Sequence, residues 1–151
     1  MSNDIINFRF VGIELVFKSV EEMPLNGVGP QFFFDLRVDI KVHAELKLVI
    51  PFVTIKIRGG EEPVELAKIG VSCLFEIEDF ENVLLMNEHG LYVVPPALEA
   101  TIKPVAVSTA RGVMYSEFRG TYLNNAVLPV IYMQSLIEEK ALEENITKEP
   151  T

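Results

Sequence analysis

Tryptophan is absent from this 151-residue sequence, cysteine occurs once, as Cys73, and histidine only twice, as His43 and His89. A lone thiol closes no internal disulfide, and two distant histidines have no metal-ligand spacing. No glycine-rich phosphate cradle follows a strand pattern, and no strained serine elbow is present. No apolar run reaches the roughly 18 residues that a membrane-spanning helix needs. The opening residues, MSNDIINF, carry neither a basic region nor an apolar core of a secretory signal, which points to a cytoplasmic protein. Positive charge is also scarce: 13 Lys and Arg stand against 22 Asp and Glu, for a net charge of −9. Such a chain repels nucleic acid and anionic lipid, so neither is an expected partner.

Apolar side chains are plentiful. They make up 49% of the residues, and the mean hydropathy is +0.27. In one domain of this size the surplus must be buried between subunits or offered to a ligand, and a symmetric homo-oligomer is the commoner outcome. The sequence reads as one domain over 1–151, with strands over about 7–80, helices over about 95–144 and a frayed tail at 145–151.

The first strand is Asn7–Lys18, NFRFVGIELVFK. Its alternation slips, with Phe8 and Phe10 on one parity and Ile13, Leu15 and Phe17 on the other; Gly12 at the slip predicts a bulge. A Pro- and Gly-bearing loop follows, with Met23, Leu25 and Val28 more apolar than a connector requires. Gln31–Val42 then alternates cleanly. Phe32, Phe34, Leu36, Val38, Ile40 and Val42 share one face, and Asp35, Arg37, Asp39 and Lys41 the other, as in an antiparallel strand with one dry face. Leu46–Arg58 is a third strand, in which Pro51 predicts an edge position or a bulge, after a turn near His43–Glu45. GGEEP makes a turn into a fourth strand, Val64–Phe80, and ENVLLMNEHG has room for a short helical turn.

From Pro95 the pattern becomes helical. Two prolines suit a first turn, and Leu98, Thr101/Ile102, Val105, Met114 and Phe118, with Ala100, Ala106 and Ala110 between, give an amphipathic stripe. Pro104 predicts a bend, or a helix beginning near Lys103. A second amphipathic helix is expected over Val130–Glu144. The fold class is therefore α+β, a four-stranded antiparallel sheet with two C-terminal helices packed on one face.

Chemistry has little to stand on. Cys73 lies mid-strand as a small core residue, His43 ends a polar strand face and His89 belongs to a turn. The acidic groups Glu61/Glu62, Glu76/Glu78/Asp79 and Glu138/Glu139 read as solvated faces rather than as a glycosidase pair or cation site. No catalytic residue, metal or cofactor is expected, and binding without chemistry is the default.

Four strands followed by two helices, with NFRFVGIELVFK as first strand, LFEIEDF closing the fourth, a Pro-led first helix ending in STARG, and LPVIYM entering the last helix, resemble the SecB family of export chaperones. Pro95, Ala97 and Glu99 match the family's Pro, Ala and Glu, and Ala110–Arg111–Gly112 its Ser-Arg-Gly. The resemblance implies a cytoplasmic homotetramer, a dimer of dimers packed through the first helices, without catalysis. It implies a holdase that binds unfolded apolar segments of precursor proteins and passes them to the SecA motor. By that analogy the client surface comprises Met23, Leu25, Val28, Phe32, Phe34, Ile131, Met133 and Leu136. Glu14 matches an acidic motor-docking position of the exposed sheet, but Lys18 and Lys68 stand where acids are expected. That departure implies an altered or absent hand-over partner, for instance another transport route or an unstable partner such as an antitoxin. The alternative is an adaptor that holds one dedicated folded partner on the same scaffold.

Overall fold

The computed structural model describes residues 5–60 and 64–130. Its elements, in chain order, are β1 (Phe8–Val20), β2 (Phe32–His43), β3 (Leu48–Gly59), β4 (Val64–Ile77), a short α1 (Phe80–Val83), β5 (Leu85–Met86), β6 (Tyr92–Val93) and α2 (Pro96–Glu117). The four long strands form one antiparallel sheet in the order β1-β4-β3-β2, and β5 and β6 form a separate hairpin. The expected second helix, with Ile131, Met133 and Leu136, lies outside the described residues.

One face of the sheet is dry. Val49, Val53, Ile55 and Ile57 of β3 and Ala67, Ile69, Val71, Cys73, Phe75 and Ile77 of β4 are all buried there, and α2 packs on these two strands. The buried row of α2 recurs every fourth residue, at Leu98, Ile102, Ala106, Ala110 and Met114, and continues to Phe118. An i±4 row is the ridge that a helix presents in close packing. The alanines at its middle bring α2 down onto the sheet, whereas Val105, counted in the stripe from sequence, faces outward. Pro104 lies inside α2 and does not start it.

Pro51 is the second correction. β3 is an interior strand, with Ile40 of β2 opposite Pro51. On the β4 side the pairing runs Val49↔Phe75 and then Phe52↔Ser72, with Ile50 and Pro51 unpaired between them. A proline has no N–H for the ladder, and this break lets it sit away from an edge. The bulge expected near Gly12 is present, between Phe10 and Gly12, and a second falls between Leu15 and Phe17. The turn after β2 spans Ala44–Lys47 rather than His43–Glu45: the Lys47 N–H donates to the Ala44 carbonyl (3.2 Å), and Lys47 has a φ of 59°.

Beyond α2, the chain over Arg119–Val130 is tied back to the sheet and the helix. The Tyr122 hydroxyl donates to the Glu21 carbonyl at 2.7 Å, and the Arg111 guanidinium donates to the carbonyls of Leu128 (2.8 Å) and Pro129 (3.0 Å). Leu123, Ala126 and Leu128 complete the core.

Candidate functional site

Because α2 covers β3 and β4, the apolar row of β2 forms a shelf beside it. Phe32, Phe34, Leu36, Val38, Ile40 and Val42 are only half-buried, packed against the rim of the core. Val28 joins one end. Its carbonyl accepts the Gly60 N–H at 3.2 Å, and a Cβ on Gly59 would lie 2.9 Å from Leu66 Cδ1 and 3.5 Å from Phe32 Cδ1, so this end is tightly closed. Met23 and Leu25 stand off from it, 55% and 105% exposed. The structure thus brings Val28, Phe32 and Phe34 together and leaves Met23 and Leu25 as free apolar side chains of the neighbouring loop. Glu14, across the sheet, belongs to the other face, opposite Ser72 of β4.

Sequence reasoning missed two further apolar surfaces. The β5–β6 hairpin exposes Leu85, Met86, Leu91 and Val93. Its turn is built by Asn87, whose side-chain oxygen accepts the N–H groups of His89 (2.9 Å) and Leu91 (3.0 Å), with Gly90 at a φ of 73°. The NEHG turn between LLM and LYVV was the available signal. The other surface is β1, where Phe10, Ile13, Leu15 and Val20 point to the helix side and the bulge residues Val11 and Val16 are exposed too.

All four charged residues of α2 are engaged inside the protomer. Glu99 pairs with the buried Lys103, Arg111 bonds the Leu128 and Pro129 carbonyls, and Glu117 reaches Lys18 at 3.0 Å. The outward stripe of Ala97, Thr101, Val105, Ser108, Gly112 and Tyr115 is exposed and carries no charge.

Among the described residues, no helix or strand packs over the second face of the sheet, the open face. Its cross-strand rows include Phe17–Gly70–Thr54–Arg37, Glu14–Ser72–Phe52–Asp39 and Ser19–Lys68–Lys56–Asp35. Phe17 lies over Gly70, where a Cβ would come within 2.5 Å of the ring, and meets Phe52 edge-on at 6.0 Å. Lys68 Nζ sits 5.2 Å from the Phe17 centroid and Lys41 Nζ 5.4 Å from that of Phe52, within cation–π range. Lys18 is not on this face. The bulge at Val16 reverses the parity, sending Phe17 to the open side and Lys18 toward Glu117.

Reactive chemistry finds no site among the described residues. Cys73 is fully buried under α2; burial pushes its thiol up from its ordinary value, and a hydrogen bond with Thr109 only partly offsets this. A buried thiol of raised pKa is unreactive. No group of three or more His, Cys, Asp or Glu residues could hold a metal ion among the described residues, and none of the described helices is long and apolar enough to cross a membrane.

No family model and no curated protein matches the chain. Among solved structures, it is similar to the SecB-like chaperone Rv1957 of Mycobacterium tuberculosis, solved in complex with a ChAD peptide from the antitoxin Rv1956 HigA1. The TM-score is 0.58 at 16% sequence identity, over 82% of this chain and 90% of that one. The fold is SecB-like. In that fold, the β2 shelf and the uncharged stripe of α2 are features of the helix side, and the Phe17–Phe52 pair belongs to the open face.

Proposed function

We propose that this chain is a non-enzymatic holdase that keeps extended, apolar polypeptide segments from aggregating. The β2 shelf carries the reading: six apolar side chains in one row, half-buried beside α2, with Met23 and Leu25 exposed on the adjoining loop. Flexible Met and Leu side chains adapt to varied partners, and a net charge of −9 keeps such a surface soluble. The similarity to Rv1957, which was solved with a peptide from an antitoxin, supports a polypeptide ligand. Met23, Leu25, Val28, Phe32 and Phe34 form the described part of the proposed client surface, and Ile131, Met133 and Leu136 are proposed to extend it.

The oligomer is part of the proposal. Uncharged stripes of α2 pack between protomers, and the apolar β1 edge, a row of unpaired backbone groups among the described residues, joins a second copy, giving a dimer of dimers in the cytoplasm. Export by hand-over to a SecA-type motor is the finer form of the reading, with Glu14 as the docking residue. Lys68, on the same face, favours the alternative of one dedicated polypeptide partner.

The test is light scattering of a chemically unfolded, aggregation-prone protein diluted with and without this chain. Suppression at near-stoichiometric ratios across unrelated clients is expected, and Phe34→Asp should weaken it several-fold. A folded oligomer that suppresses nothing overturns the general holdase in favour of the dedicated adaptor. Tight binding of a SecA-type motor, lost in Glu14→Lys, would reinstate the export route.

A further inference from the structure

The middle of the open face contains an arrangement that costs stability unless something binds it. Lys56 of β3 and Lys68 of β4 are direct cross-strand partners, and like charges placed opposite each other on neighbouring strands repel. Neither enters an ion pair among the described residues. The carboxylate across from Lys56 is Asp35, but it is taken by Arg58 at 2.9 Å, and Asp39 is taken by Arg37 at 3.0 Å. Lys41, over Phe52, has no carboxylate partner there either. The nearest acid on the β1 side, Glu14, is two rows away, about 13 Å along the strand at ordinary rise. In a chain with nine more acids than bases, three ammonium groups without a carboxylate partner among the described residues thus stand around one aromatic pair, two of them over its rings.

The same residues line a shallow concavity of about 590 Å³, whose walls include Phe17, Phe52, Thr54, Lys56 and Lys68. Its floor is apolar, and Asp35 and Asp39 on its walls are paired with Arg58 and Arg37. The charge left without an ion-pair partner among the described residues is that of Lys56 and Lys68, so the complementary ligand has an apolar side chain beside one or more carboxylates. We propose that the open face docks an extended acidic segment of a partner protein. The partner's aromatic or large aliphatic side chain rests on Phe17 and Phe52, and its neighbouring carboxylate bridges Lys56 and Lys68. One carboxylate accepts from two ammonium groups and removes their repulsion. Nucleic acid also offers flat rings and negative charge, but a polyphosphate carries a charge on every nucleotide and needs a longer run of basic groups than Lys41, Lys56 and Lys68 supply, whereas one carboxylate needs only the Lys56–Lys68 pair. A segment bound here leaves the β2 shelf free on the opposite side of the sheet.

The experiment uses fluorescence anisotropy with the full chain and three labelled probes: a decapeptide alternating Phe and Asp, its Phe–Lys counterpart, and a ten-nucleotide oligo(U) RNA. The Phe–Asp peptide is expected to bind and to weaken as salt rises. Lys56→Glu/Lys68→Glu should weaken it at least tenfold, and Lys56→Arg/Lys68→Arg should retain it within about threefold. The proposal is overturned if the Phe–Lys peptide binds as well as the Phe–Asp peptide, if the charge reversal leaves affinity unchanged, or if oligo(U) binds more tightly than either. Aggregation suppression measured on the same charge-reversed protein separates the two readings. It should persist when Phe–Asp binding is lost; joint loss in a folded protein would place both ligands on one surface and overturn the separate open-face site.

Discussion

The two faces of the sheet use the same strands to different ends. On the helix side every β3 and β4 position from Ile55 to Ile57 and from Ile69 to Phe75 that points inward is sealed under α2, and stability resides there. On the open side, an aromatic pair lies among lysines that repel one another, and packing alone gives no reason for it. One face is sealed by packing; the other sets a favourable aromatic pair beside two lysines that face each other across the strands.

The largest break in that contrast should come from the dry face. Ile69→Ala removes a fully buried side chain and should cost about 2–5 kcal/mol, read by urea denaturation, whereas Thr54→Ala on the open face should stay within about 0.5 kcal/mol. Equal costs would show that the open face is covered too. Next comes Gly70→Ala, whose methyl displaces the Phe17 ring. It should cost roughly 1–3 kcal/mol from overpacking and far less in a Phe17→Ala background, so a double-mutant cycle isolates the contact. A smaller effect, of opposite sign, is expected from Lys68→Glu. Placing opposite charges across the strands should stabilise the fold by about 0.2–1 kcal/mol, and the gain should shrink in high salt.

The smallest effect is read by pH. Burial raises the Cys73 thiol above its ordinary 9.0, and burial followed by the Glu21 charge raises the Tyr122 phenol above 10.0. Both groups hold their protons more firmly in the folded chain, so their contribution is complete below pH 9. It is lost as pH rises, because the unfolded chain ionises first. Thermal midpoints should be level up to about pH 9 and decline above it, and Tyr122→Phe should remove the part that begins near pH 10.

The sequence alone determined the four strands, their antiparallel alternation, the bulge at Gly12 and a Pro-led helical segment from about Pro95, since each rests on local rules of period, turn chemistry and backbone geometry; that the helix starts at Pro96 rather than near Lys103 was decided by the structure. Of the proposed client residues it marked Val28, Phe32 and Phe34, which converge, along with Met23 and Leu25, which stand apart. The tertiary structure decided what depends on neighbours distant in sequence. Pro51 is interior because the β3–β4 ladder breaks at it. Ala106 and Ala110, rather than Val105, meet the sheet because α2 crosses it along an every-fourth-residue ridge. The second bulge, at Val16, separates Phe17 from Ile13 and Leu15, residues of the same parity, and turns Lys18 toward Glu117. No local pattern specifies that slip; it exists only in the register of β1 against β4, where Gly70 leaves room for the Phe17 ring.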